Sequence, residues 1–505
     1  MLVFVFTKCI LAGLLRESAL FCSEVQAGAI PVAGSKLLLQ LKEGTMRILN
    51  ENLILDTDSY KFSHFLQYPR GTTAMYSYFE SRGGKFDKTV FFGLQYILNR
   101  YLYGHVITAD NVNEAAVFAD DHGVPFPLKG WKRIVDKHQG RLPLIIRAVP
   151  EGTVVPNHNI LMSVESTDPE VFWLPAWLET LLVRIWFPVT VATLSYHIRK
   201  DIYKYLQETS DDPDSEIWFK LHDFGSRGVS SRESAGIGGA AHLVNFKGSD
   251  TVEGIRTANK YYHCDMAAFS ISAAEHSTIT SWGKDREVDA YRNMLTQFAK
   301  PGSLVAVVSD SYDLYNAVAQ YWAGSLLEEV KKSGATVVIR PDSGNPPEVV
   351  CRILNILEER IGMETNSKGF KVLPDYFRVI QGDGVNQESI NMILEAMKKQ
   401  GYSASNIAFG MGGALLQQIN RDTQKFAFKC SEVTIDGKAV AVFKDPVTDP
   451  GKRSKAGRLS LAKSGTDYAT VPGPYSKDVL QPVFVNGSVF SDFSLDEIRA
   501  NAGWK

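Results

Sequence analysis

The chain has 505 residues, 45% hydrophobic and 22% charged, a composition that excludes wholesale disorder and fibrous repeats. Fifty-four basic residues stand against 56 acidic ones, a formal charge of −2, which argues against a protein that coats nucleic acid. The five cysteines (Cys9, Cys22, Cys264, Cys351, Cys430) are scattered without a C-x-x-C pair, so a reduced, cytoplasmic setting is expected rather than a disulfide framework or a zinc site.

Residues 2–15 (LVFVFTKCILAGLL) are apolar, but Lys8 interrupts them and they fall short of the about 20 residues a membrane span needs. No basic region precedes the run, although Ala27-Gly28-Ala29 mimics a cleavage site. The expectation is an extension over residues 1–46, outside the fold, with Met46 as the working start. A signal peptide is the alternative.

Between residues 300 and 425 a strand–loop–helix pattern recurs. The runs 304–309 (LVAVVS), Thr336–Arg340 (TVVIR), Phe377–Gln381 (FRVIQ) and 407–410 (IAFG) are short and apolar, as expected of parallel strands buried on both faces. Val350, Ile353, Leu354, Leu357 and Ile361 follow helical spacing and Gly362 closes them; Ile390, Ile393, Leu394 and Met397 repeat the pattern before Gly401. Such βα units build either a closed barrel or an open doubly wound sheet.

Asp310, Asp342 and Asp383 follow the first three runs, and Gly412-Gly413 follows the fourth. Any one of these is as readily a helix cap or a turn. Four in succession point to a site, because ligands of α/β folds bind at the carboxyl ends of the strands. Backbone N–H groups in the G-M-G-G loop suit a phosphate at a helix start, and the aspartates suit sugar hydroxyls or hydrated Mg²⁺. Elsewhere, His222 to Gly228 packs an imidazole, carboxylate, aromatic ring and guanidinium together, Glu275-His276 sits among small residues, and 444–458 is locally basic.

The motifs DSYKFSH (58–64), YFESR (78–82), HDFGSRG (222–228), FKGSD (246–250), AAEHST (273–278), SDSYD (309–313), IRPDSGNP (339–346), IQGDGV (380–385) and FKDPVTDP-x-KRSK (443–455) occur in this order. Together they resemble the nicotinamide phosphoribosyltransferases, a family of type II phosphoribosyltransferases. The resemblance implies an irregular α/β barrel over 181–424 and a smaller β-rich domain built from 47–180 and 425–505. It also implies transfer of the phosphoribosyl group of phosphoribosyl pyrophosphate to nicotinamide, coupled to ATP hydrolysis through a phosphohistidine, in a homodimer with shared active sites. No nucleic-acid or membrane partner is expected.

Residue by residue, the resemblance makes His276 the phosphorylated histidine, with Glu275 and Asp310 against its ring. Phe224 and the partner subunit's Tyr60 stack on nicotinamide, Asp250 accepts from its carboxamide, and Arg227 lies near base and pyrophosphate. Arg340, Asp342 and Asp383 contact ribose and pyrophosphate. Gly382, Gly412 and Gly413 cradle the 5-phosphate, helped by Arg421 and Lys429 of the other chain. Arg82, Lys444, Lys452, Ser454 and Arg458 fit the pyrophosphate or ATP phosphates, and Mg²⁺ is held mainly through substrate phosphates. Ala306, Ala427 and Ser226 depart from the family pattern, where serine, serine and tyrosine are expected. A nicotinate-specific sister enzyme is the alternative, which Asp250 opposes; so is a secreted binding or cytokine-like role.

Overall fold

The β-branched runs become largely buried strands, exposed only at Leu304: Leu304–Val308, Thr336–Arg340, Phe377–Gln381 and Ile407–Met411 pair in parallel. The computed structural model describes residues 51–448 and 452–504. The expected N-terminal extension lies outside them. Three further strands, Leu221–Asp223, Gly248–Ser249 and Ser272–Ala273, complete a 7-stranded parallel sheet. A parallel bridge from Gly248 to Phe269, a few residues before Ser272, curls one edge of the sheet toward the other. The strands therefore run around an irregular barrel in chain order, as right-handed βα units do.

The connecting helices form where the spacing predicts. Pro346–Ile361 buries Val350, Ile353, Leu354 and Leu357, starts with proline in its first turn, and stops at Gly362 with φ +77°. Gln387–Lys399 opens on a capping box between Asn386 and Ser389 and buries Ile390, Ile393, Leu394 and Met397. The long helix Trp186–Thr209 packs against Arg232–His242 and Gln387–Lys399.

A second 7-stranded sheet is built from both ends of the chain. Its order is Lys438–Ala441, Phe426–Ile435, Thr72–Ser81, Ile160–Ser166, Leu144–Ala148, Gln481–Val485 and Ser488–Val489, with every pair antiparallel. This is the smaller β-rich part. It shares a continuous apolar core with the barrel, within one unit, Asn52–Lys505. No single helix among the described residues is long and apolar enough to cross a membrane.

Candidate active site

All seven barrel strands deliver a residue singled out in the sequence to their carboxyl ends. Phe224 follows Leu221–Asp223, Asp250 follows Gly248–Ser249, and Glu275 and His276 follow Ser272–Ala273. Asp310, Asp342, Asp383 and Gly412 follow the remaining four strands in turn. The Phe224 N–H donates to Met411 O at 3.0 Å, which turns its ring over the adjoining strands. A Cβ at Gly410 would lie 1.9 Å from Phe224 Cε2, so only glycine leaves room for the ring. A Cβ at Gly382 would lie 3.5 Å from both Phe224 Cε2 and Asp342 Oδ1, and 3.9 Å from Arg340 Cδ. Ring, carboxylate and guanidinium thus converge over Gly382. Ala306, Val338 and Ile380 pack with Phe224, Ile271 and Ala408 into an apolar cluster alongside. Ala306 is therefore seated among hydrocarbon.

One wall is polar. Asp250 Oδ1 accepts from His222 Nε2 at 2.9 Å and from Ser270 Oγ. Burial pushes the Asp250 carboxyl upward, but those two bonds and the charges of His222 and Arg340 outweigh it and hold it below the usual carboxylate range. Asp223, fully buried beneath the Phe224 turn, accepts from the Gly225 N–H at 2.7 Å. Burial pushes its carboxyl up to about 6.

The histidine follows the next strand around the barrel, Ser272–Ala273. His276 Nε2 donates to Asp310 Oδ1 at 3.2 Å, and its Nδ1 stands 3.9 Å from Asp342 Oδ2. Asp310, 5% exposed, uses its other oxygen to accept from the Asp342 N–H at 3.1 Å and Ser343 Oγ at 2.5 Å. The carboxylate therefore fixes both the imidazole and the neighbouring loop. Arg340 Nη2 donates to Asp342 Oδ2 at 3.4 Å, while its buried Nε has no partner among the described residues. Glu275 is placed differently from the expectation. At the N-cap of His276–Thr280 its carboxylate accepts from the Ser277 hydroxyl, so Asp310 is the carboxylate on the ring.

Asp383 and Arg227 are exposed at the rim. The helix after the glycine loop, Gly413–Leu416, is a single turn, so its dipole is shorter than the sequence suggested and loop backbone carries the anion-binding potential. Among the described residues no group of three or more His, Cys, Asp or Glu is set to hold a metal. One carboxylate beside bound phosphates is nonetheless the donor set Mg²⁺ prefers.

The outlying basic residues gather elsewhere. Arg82, Arg421, Lys429, Lys444 and Lys452 line a cavity of about 550 Å³ against the antiparallel sheet, with His158, Lys425 and Ala427. None of the strand-end residues lines it. Burial lowers the Lys429 pKa, Glu179 opposes this, and Arg82, Lys444 and Lys61 add to it. Ser454 lies outside that cavity, in a neighbouring one, and exchanges 3.0 Å hydrogen bonds with the Lys444 backbone. Arg458 is taken up by Glu165 at 2.7 Å and Glu432 at 3.0 Å. Tyr60 is 60% exposed on Ser59–Leu66, its ring edge-on to His64. Ser270 is absent from the sequence reading, and Ser343 stands there only within the IRPDSGNP motif, with no role of its own. Their contacts, with Asp250 and Asp310, span 20 and 33 residues, and no local spacing signals them.

A parallel barrel with acidic strand ends, a glycine loop and a β-rich companion layer defines a phosphoribosyltransferase-type fold. The fold is shared with the nicotinate-nucleotide pyrophosphorylase of Pyrococcus furiosus, at 17% identity and a TM-score of 0.59, over 90% of this chain and 96% of that one. It is shared also with human nicotinic acid phosphoribosyltransferase, at 15% identity and a TM-score of 0.52, over 88% and 93% of the two chains. Residues 219–488 match the nicotinate phosphoribosyltransferase family, and 52–146 match the N-terminal domain of nicotinamide phosphoribosyltransferase. A nicotinamide phosphoribosyltransferase of Xanthomonas campestris pv. campestris is 55% identical over 90% of this chain and 98% of its own length. One from Acinetobacter baylyi is 30% identical over 88% and 95%. The chain belongs to the nicotinamide phosphoribosyltransferase family.

Proposed function

We propose that the chain transfers the 5-phosphoribosyl group of phosphoribosyl pyrophosphate to nicotinamide, giving nicotinamide mononucleotide and pyrophosphate for NAD salvage, as a cytoplasmic homodimer. The observation that carries this reading is the Asp250 carboxylate, bonded at 2.9 Å to His222, whose ring lies 5.3 Å from the Phe224 ring that packs on an apolar cluster. A flat, uncharged ring suits the cluster, and a carboxamide NH₂ can donate to the carboxylate. Nicotinate would set carboxylate against carboxylate, a like-charge clash that rejects it.

Arg340, Asp342, Asp383 and the Gly382 and Gly412-Gly413 backbone take the ribose and phosphates. Mg²⁺, when bound through substrate phosphates, neutralises charge on the departing pyrophosphate. ATP coupling runs through His276. With Nε2–H engaged by Asp310, Nδ1 is the nitrogen left to attack the γ-phosphorus of ATP, the bond to the β-phosphate oxygen breaking as ADP departs, and the imidazolium charge that develops faces a buried carboxylate. Arg421, Lys429, Arg82, Lys444 and Lys452 serve the phosphates of the partner's barrel, and Tyr60 closes over the partner's base. Two disjoint sets of phosphate-suited groups in one chain support this shared-site arrangement.

The test is product analysis with phosphoribosyl pyrophosphate and either base, with and without ATP. Nicotinamide mononucleotide formed in preference, and faster with ATP, is expected; turnover of nicotinate alone would contradict the proposal.

A further inference from the structure

Two side chains to which the sequence assigns no role of their own meet on the carboxylate of Asp250. His222 Nε2 and Ser270 Oγ both donate to Oδ1 of Asp250, and neither bond uses Oδ2. The three residues come from neighbouring strand ends: His222 from Leu221–Asp223, Asp250 just after Gly248–Ser249, and Ser270 just before Ser272–Ala273. His222 is itself confined. Its ring lies 5.3 Å from that of Phe224, and a Cβ at residue 248 would come within 2.6 Å of its Nδ1, so Gly248 leaves the space it occupies. A carboxylate 44% exposed on its side chain would otherwise rotate freely.

We propose that His222 and Ser270 are positioning residues for base selection, occupying Oδ1 so that Oδ2 is the acceptor presented to the carboxamide. The inference rests on the nicotinamide reading above. Two donors on one oxygen also favour the ionised form of Asp250 against its burial, with Arg340 assisting and the buried Asp223 opposing. Ionisation is what makes the group repel a second carboxylate. A protonated Asp250 would instead donate to nicotinate and admit it.

The test is steady-state kinetics of the full chain with both bases, for Ser270→Ala, His222→Leu and His222→Gln. Each loss of a charge-assisted bond should raise KM for nicotinamide and lower the nicotinamide-to-nicotinate ratio of kcat/KM by about tenfold. The KM for phosphoribosyl pyrophosphate should stay near wild type. His222→Gln, which keeps a donor near the Nε2 position, should recover most of the selectivity. A selective wild type with equally selective Ser270→Ala and His222→Leu would overturn this inference alone. So would equal damage to the KM of both substrates, which marks general loosening of the barrel mouth. A wild type that turns over neither base would sink the proposed function, and this inference with it.

Discussion

At the scale of single residues, the strand ends combine strict steric demands with a few oriented charges. Replacing Gly410 by alanine drives a methyl group into the Phe224 ring. Overpacking of this kind costs about 1–3 kcal/mol, so Gly410→Ala should melt lower and show a raised nicotinamide KM; an unchanged KM would mean the ring does not contact the base. His276→Ala should bind nicotinamide normally and lose ATP-stimulated turnover, read from rates with and without ATP. Persistent stimulation would remove His276 from the coupling. These residues were legible because each stands just after a short apolar run or beside a distinctive neighbour. Ser270 was not, nor was the role of Ser343, since a serine gives no pattern and their partners are brought near only when strands align. Glu275 was legible as a residue but not in its orientation, because capping its own helix competes with facing the imidazole.

Among the elements, four barrel strands were evident from β-branched runs, and their helices from 3.6-residue spacing with glycine stops. Leu221–Asp223, Gly248–Ser249 and Ser272–Ala273 span at most three residues, too few to show any period, and pairing with longer neighbours fixes them. Helix packing around them also depends on glycine. Where Arg232–His242 meets Val252–Tyr261, a Cβ at Gly239 would lie 2.8 Å from Gly254 Cα. Backbone cannot yield as a flexible side chain does, so Gly239→Ala should destabilise by about 1–3 kcal/mol, measured by denaturant unfolding. A midpoint matching wild type would show that these helices can move apart at little cost.

Across the whole molecule, one buried carboxylate couples stability to pH. Glu151, 2% exposed, accepts from the Gly93 N–H at 3.1 Å and the Gln95 N–H at 2.6 Å. Gln95 in turn donates to the carbonyls of Tyr261 and Phe493, linking the barrel helices to the C-terminal segment. Burial raises the Glu151 pKa from 4.5 to about 7 despite those backbone bonds. Between these values the folded state holds a proton that the unfolded chain releases, so the contribution of this group to stability falls as pH rises through that window. Relative to Glu151→Gln, wild type should therefore lose Tm from about pH 5 to pH 8, and parallel curves would contradict the assignment.

The same scale holds the main functional question, whether barrel mouth and basic cavity are halves of one site completed by a second chain. Mixing two inactive variants decides it: Asp342→Ala, altered at the mouth, and Lys429→Ala, altered in the cavity. If each site draws on both chains, half of the re-equilibrated dimers carry one intact site, and the mixture should regain about a quarter of wild-type nicotinamide mononucleotide formation. A mixture no more active than its separate components would show that each chain works with its own residues alone.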